Sequence, residues 1–361
     1  MTSTVRNDFI RAMEGAASVG PGVQETLISA DSHVMEDPEL WVKRLPAALR
    51  DRAPRFPAKT DFNNDDIKGG FDSTARLGEM AEDGVSAEVL YATLGLTLFK
   101  MEDPALQEAC FQVYNDWLAE YCSVAVDRLV GIPLIPAYNI DHAVKELERA
   151  QALGLKGCQV WQAPPKDPRY SFRSGHYDPL WAAAQALNMP VSLHIVTGFG
   201  FDISVLKGLD RYHGAVNQKL LDAMDALFDL MFSGVMERFP RLKFVVVENE
   251  IGWAPFAIDQ WDKYYRRWGE SVPIPLTMPP SDYVKRQVFF TFFFDQVGGR
   301  NLAWWGQDNC MWSNDFPHPN STWPYSRQVI ARDLAHLPPE SITKLVRTNV
   351  AELYGIRLPN Q

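Results

Sequence analysis

Asp31 and His33 stand two residues apart in the stretch LISADSHVMED, directly after the apolar Leu27 and Ile28. In an extended chain, side chains at that spacing leave one face, so this carboxylate and imidazole can reach a single cation. Ligand-type residues also close other apolar runs: His194 in PVSLHIV, Glu248 and Glu250 in VVVENEIGW, and Asp315 with His318 in WSNDFPHP. Each has a plainer explanation by itself. His194 would serve as a hydrogen-bonded core histidine, Asp31 as a turn or capping residue, and Glu248 as an acceptor for N–H groups at the next helix start. Taken together they point elsewhere, because unpaired buried carboxylates each cost several kcal/mol in desolvation and a divalent cation offsets that charge. The set Asp31, His33, His194 and Asp315 is therefore read as a metal site.

The neighbouring candidates are less sharply defined by position. VVVENEIGW allows Glu248, Asn249 or Glu250 to face the site, and Glu248 is favoured because it directly follows the apolar run. His318 follows Asp315 closely enough to support it or to face a substrate, and Asn314 is placed to support the loop. Trp161, Trp253, Trp312, Phe316 and Trp323 crowd the same run ends. They either pack beneath long loops or, beside a metal, form the walls of a pocket for an aromatic or planar organic substrate.

Positioning such residues requires a scaffold that brings distant strand ends together. Eight β-rich apolar runs alternate with helical stretches: 27–31, 87–93, 128–136, 157–162, 190–196, 243–248, 288–294 and 310–315. Most are apolar throughout, as strands covered on both faces should be. Between them, 103–127, 141–154 and 177–188 carry apolar residues at helical spacing. This α/β alternation predicts a parallel sheet closed as a (β/α)8 TIM barrel, in which catalytic groups occupy the C-terminal ends of strands. No G-x-G-x-x-G follows the first run, which argues against a dinucleotide fold. Long insertions at 35–75 and 197–217, after strands 1 and 5, are the expected pocket walls and lid. The reading divides the chain into an N-terminal arm, 1–26, and one barrel domain, 27–361.

Composition excludes several other classes. The 361 residues are 46% hydrophobic and 22% charged, which supports a substantial core. Lys plus Arg number 35 against 45 Asp plus Glu, giving a net charge of −10 without a basic run, so nucleic acid is not the expected partner. The four cysteines, Cys110, Cys122, Cys158 and Cys310, lack C-x-x-C spacing and read as reduced thiols of a cytoplasmic protein. No apolar run reaches the roughly 18–20 residues that span a bilayer, and the first residues lack the apolar core of a secretory signal.

Several motifs in order carry a resemblance: ADSHVMEDPELW at 30–41, DGVSAEVLYATLG at 83–95, DRLVGIPLIP at 127–136, YDPLWAAAQALNMPVSLH at 177–194, ERFPRLKFVVVENEIGWAPF at 237–256, WSNDFPHP at 312–319 and NVAELYGI at 349–356. The chain resembles the amidohydrolase superfamily, in the amidohydrolase-related branch that includes aminocarboxymuconate-semialdehyde decarboxylase, from about residue 27 to 356. The resemblance implies a distorted (β/α)8 barrel with one divalent metal. It assigns the ligand role to His33, His194 and Asp315, with Asp31 at the first position of the family's H-x-H or E-x-H pair. Two departures bear on activity: Asp31 replaces His or Glu, and Glu248 stands where decarboxylases of this family carry a catalytic histidine.

These departures favour a metal-dependent hydrolase, in which the ion activates a water, Asp315 takes its proton, and Glu248 or His318 protonates the leaving group. The alternatives are a nonoxidative decarboxylase of an aromatic or muconate-type acid, and an inactive barrel serving as a binding module. Two nitrogens with two or more oxygens suit zinc, with manganese as the other candidate. Arg173, Arg211 and Arg300 are candidates for recognising a substrate carboxylate. A homodimer or higher homo-oligomer is expected from the family's habit and from the arm and the LPNQ tail.

Overall fold

The computed structural model describes residues 20, 22–58, 67–201 and 207–357. Most of the predicted arm, the LPNQ tail, and the 59–66 and 202–206 parts of the two insertions lie outside the described residues.

Eight parallel strands follow one another as β1 (Leu27–His33), β2 (Val85–Tyr91), β3 (Leu129–Gly131), β4 (Cys158–Ala163), β5 (Val191–Gly198), β6 (Phe244–Val247), β7 (Val288–Phe292) and β8 (Cys310–Trp312). They pair in chain order as β1-β2-β3 and β4-β5-β6-β7-β8. Two seams join these sets. Ile135 N–H donates to Gln159 O at 3.0 Å and Gln159 N–H to Pro133 O at 2.9 Å, while Asp315 N–H donates to Asp31 O at 3.1 Å and His33 N–H to Phe316 O at 2.6 Å. The eight strands thus surround one axis as the distorted (β/α)8 barrel that the alternation predicts.

Strand limits differ from the sequence reading for local reasons. The third strand is three residues long, not the nine of the predicted run, because Pro133 and Pro136 offer no N–H to continue the ladder. The first strand runs on to His33, and the fifth to Gly198.

Between the strands, helices start where polar caps meet apolar periodicity. Asp103 accepts from Leu106 N–H ahead of Pro104–Cys122, and Asn139 accepts from His142 N–H ahead of Ile140–Ala152. Their apolar faces pack against the outer face of the strands in the larger core. A second cluster fills the barrel, including Ile28, Ala30, Val89, Tyr91, Val247 and Met311.

In the insertion after β1, residues 35–58 include the short helix Leu40–Arg44 and a turn of 3-10 helix, Ala47–Arg52. The insertion after β5 leads into Leu209–Asn217, a π turn at Gln218–Asp222, and the helix Ala223–Phe232.

Candidate metal centre

Strict alternation would put Ala30 and Asp31 on opposite faces of β1, and Ala30 lines the barrel. A bulge changes this. Ile28 pairs with Ala87 and His33 with Tyr91, so five steps along β1 match four along β2, with the register shift between Ser29 and Ser32. The extra residue reverses the parity, and Asp31 and His33 join Ala30 on the interior.

Two other carboxylates are aimed by uncommon backbone. Glu248 and Asp315, each just past a strand, adopt left-handed conformations with φ of 61° and 53°. Such angles are uncommon for non-glycine residues and cluster at functional sites. Here they turn both side chains back towards the barrel axis.

The result is a compact cluster in which one ligand atom each from Asp31, His33, His194 and Glu248 lies within 4.8 Å of the others, as is also true of His33, Glu248, Asp315 and His318. His33 Nε2 lies 3.5 Å from Asp31 Oδ1, 3.5 Å from Asp315 Oδ1 and 3.8 Å from Glu248 Oε2. His194 Nε2 lies 3.7 Å from Asp31 Oδ1 and 3.6 Å from Glu248 Oε2. These separations are too long for hydrogen bonds and suit atoms converging on a common point.

Backbone carbonyls orient both histidine rings. His33 Nδ1 sits 2.7 Å from Ala92 O and His194 Nδ1 2.9 Å from Ile195 O. A carbonyl only accepts, so each Nδ1 carries the proton and each Nε2 presents a lone pair. Among the described residues, both Nε2 atoms and both side-chain oxygens of Asp31 and of Asp315 are buried without a well-aligned hydrogen bond, although His318 Nδ1 approaches Asp315 Oδ1 to 3.0 Å. Six orphaned polar atoms in one place would be costly, and a divalent cation is the group their donor set fits.

Electrostatics follow from this crowding. Burial, then the Asp31 charge, pushes Asp315 well above the usual carboxylate range. Burial, then Asp315, pushes Glu248 up to about 7. Burial, followed by the neighbouring His318 and His194, pulls His33 down. In His194 the Asp31 and Glu248 carboxylates outweigh burial and raise it. His318 is drawn down to about 4, chiefly by burial. Its ring stacks on His33 at 3.9 Å between centroids, its Nδ1 lies 3.0 Å from Asp315 Oδ1, and its Nε2 lies 3.0 Å from Thr93 Oγ1.

The ambiguity at the end of β6 resolves in the fold. Glu248 joins the cluster, the amide of Asn249 pairs reciprocally with that of Gln162 at 2.8 and 3.2 Å, and Glu250 lies 3.7 Å from Lys219. The aromatic candidates occupy different settings. Trp161 is opposite His194 in the β4–β5 ladder, with its N–H donated to Tyr177 Oη at 2.8 Å and its ring edge-on to Tyr138 and Tyr170. Phe316 lies under the Arg76 guanidinium and touches Trp323, whose N–H donates to Glu79 O. Trp253 donates to Asn249 O and packs against Phe290. Of the three arginines, all exposed, Arg173 is paired with Asp229 at 2.6 Å.

Of the polar network beneath the cluster, the sequence reading points to Asn314 alone and not to Arg76, Glu88 or Glu36. Arg76, fully buried, pairs with Glu88 at 2.5 Å and donates to the backbone carbonyl of His33. Asn314 Oδ1 accepts from Ser29 Oγ and Ser32 Oγ, and its amide donates to Glu88. Glu36 receives the N–H groups of Thr93, Leu94 and Gly95, which sets Thr93 against His318. One signal was present: Glu88 is a charged residue inside the apolar run AEVLYAT. Arg76 gave none, since it stands in a charged helix that reads as solvent-facing.

Known proteins agree with this architecture. The gamma-resorcylate decarboxylase of Rhodococcus jostii (strain RHA1) is 27% identical over 254 residues, 67% of this chain and 75% of that protein. The 5-carboxyvanillate decarboxylase of Sphingomonas paucimobilis superposes with a TM-score of 0.72 at 20% identity, over 92% of this chain and 100% of that one. The dihydroxybenzoic acid decarboxylase of Polaromonas sp. JS666, solved with manganese and the inhibitor 2-nitroresorcinol, gives a TM-score of 0.67 at 19% identity, covering 92% of this chain and 97% of that one. The amidohydrolase family model matches residues 60–356, beginning after Asp31 and His33, so the place of those two rests on the bulge of β1. With a match over the greater part of the chain and the barrel in place, this protein belongs to the amidohydrolase family.

Proposed function

We propose that the protein is a metal-dependent carboxy-lyase that removes CO2 from an aromatic acid without oxidation. The observation that carries this reading is the contact between Asp315 and His318, 3.0 Å from Oδ1 to Nδ1 at the edge of the ligand cluster. Decarboxylation of a ring needs an acid beside the metal site, and this pair supplies it where Glu248 replaces the family's histidine. The hydrolase reading gives way because relatives found by sequence and by structure are named as decarboxylases of aromatic acids.

In this reading Asp31, His33 and His194 hold the ion, with Glu248 and Asp315 flanking it. The ion, zinc or manganese, would supply Lewis-acid neutralisation of the substrate's carboxylate and adjacent oxygen. Asp315, in contact with His318 Nδ1 at the edge of the cluster, is the residue placed to deliver a proton to the ring carbon that bears the carboxylate. The C–C bond then breaks, its electron pair returns to the ring, and CO2 leaves with no water consumed. His318 Nδ1 faces the emptied Asp315 oxygen, and Thr93 Oγ1 holds the other ring nitrogen in register. Trp161, paired with His194 in the β4–β5 ladder and flanked by Tyr138 and Tyr170, and Phe316, next to Asp315 and in contact with Trp323, are the proposed aromatic walls, with Trp253 beyond β6.

The test is product analysis. Protein loaded with zinc or manganese is incubated with 2,6-dihydroxybenzoate, 5-carboxyvanillate and a panel of aromatic esters and amides in 18O-water. CO2 release with a ring product free of 18O is expected. Cleavage of esters or amides with 18O incorporation and no CO2 would reinstate the hydrolase.

A further inference from the structure

The insertion after β5 brings a cation to Glu250, two residues beyond Glu248 of the ligand cluster. The π turn at Gln218–Asp222 widens the helix locally, a device often found at functional sites, and Lys219 stands on it. Lys219 Nζ lies 3.7 Å from Glu250 Oε1 and 5.2 Å from the centre of the Phe293 ring, with 29% of the side chain exposed. Glu250 follows Glu248 beyond β6 and Phe293 directly follows β7, so the ammonium stands over the C-terminal ends of those strands.

The charge balance gives this cation a task. Besides the proton-delivering Asp315, the mouth holds three carboxylates, Asp31, Glu248 and Glu250, and a single divalent ion leaves it negative towards an incoming anion. Arg76 is buried and committed to Glu88, and Arg173 is committed to Asp229 at the surface. Lys219 is placed differently, being half out of water with a flexible stem and a partner at 3.7 Å that a tighter anion can displace.

We propose that Lys219 selects for substrate charge, receiving a carboxylate of the incoming aromatic acid in exchange for Glu250. This rests on the proposed action on an aromatic acid. Glu250 holds the ammonium in place when no substrate is bound, and the Phe293 ring supports it from the side.

Calorimetric titration of the metal-loaded protein separates this role from the chemistry. Wild type, Lys219→Gln and Lys219→Arg are titrated with 2,6-dihydroxybenzoate and with resorcinol, the same ring without its carboxylate. Lys219→Gln should bind the acid about tenfold to a hundredfold more weakly, as the loss of one charge-assisted contact predicts. Lys219→Arg should keep most of the affinity, and resorcinol should bind all three alike. Equal losses for both ligands, an unchanged affinity in Lys219→Gln, or a wild type that binds no acid would overturn the proposal. CO2 release is followed in parallel. Tight acid binding without CO2 would remove the decarboxylase reading and leave Lys219 in its role, whereas CO2 release with an unchanged KM in Lys219→Gln would do the reverse.

Discussion

Asp315 donates its backbone N–H to the backbone carbonyl of Asp31 at 3.1 Å. The same two residues that present orphaned carboxylates to His33 therefore also join the end of β8 to the end of β1. Ligand geometry and barrel seam are coupled, so damage to one side chain can leave the other in place as long as the backbone bond survives.

His194→Ala removes a lone pair that nothing nearby replaces. Metal affinity should fall by more than the ~10–100-fold typical of losing a ligand's hydrogen-bond partner. Plasma mass spectrometry after dialysis should give about one equivalent of metal in wild type and less than about a tenth in the variant. Near-stoichiometric metal in the variant would remove His194 from the ligand set.

Asp315→Asn keeps size and the seam but cannot carry the proton. Metal content should stay within about twofold of wild type while turnover falls by about 10²–10⁴. Near-normal rates of CO2 release would make the proton-delivery role untenable.

Stripping the ion should destabilise the fold, since the ligand cluster is then a set of uncompensated buried groups. Ligand linkage gives about 2.7 kcal/mol at a hundredfold excess of metal over its Kd, so the chelated protein should melt several degrees lower. Identical melting curves with and without chelator would mean that the cluster does not hold an ion under those conditions.

Arg76 and Glu88 are paired out of contact with water. Arg76→Met leaves Glu88 buried without its partner, and the expected cost is about 3–5 kcal/mol by urea denaturation. Because Arg76 also holds the His33 carbonyl, metal affinity should drop as well. A stable variant with normal metal binding would show that the pair is dispensable.

Asp83 accepts from Ser326 N–H at 2.9 Å and from Ser326 Oγ at 2.5 Å, and burial raises it to about 6. A folded value above the unfolded one, near 3.9, means that the folded state keeps the proton longer. Stability from this group is present below about pH 4 and is lost as pH rises to about 6, on the order of 3 kcal/mol in all. Asp83→Asn imitates the protonated form. In metal-saturated protein its stability relative to wild type should therefore improve between pH 4.5 and pH 7.5, and a pH-independent difference would rule this out.

Much of the architecture was legible because it is local. Alternating apolar runs and helical stretches are set by backbone hydrogen bonding and periodicity, and they marked all eight strands near their observed positions. The third strand was overextended since the apolar run LVGIPLIP hides two prolines that interrupt the ladder. The residues of the cluster were legible by type, because each carboxylate or histidine has a plain explanation alone but their recurrence at the ends of several apolar runs does not. Lys219, Arg76 and Glu36 were not, because a charged residue in a helix or loop looks solvated until distant chain segments cover it.

What the sequence by itself determined is the alternation that makes a barrel and the chemical identity of Asp31, His33, His194, Glu248, Asp315 and His318. Only the tertiary structure decided which atoms converge. A one-residue bulge reverses the parity of β1, left-handed backbone turns Glu248 and Asp315 inward, and two carbonyls fix the histidine protons on Nδ1. The bulge depends on pairing with β2 and the His33 proton on the carbonyl of Ala92, both far along the chain, and periodicity within one segment carries no record of such partners.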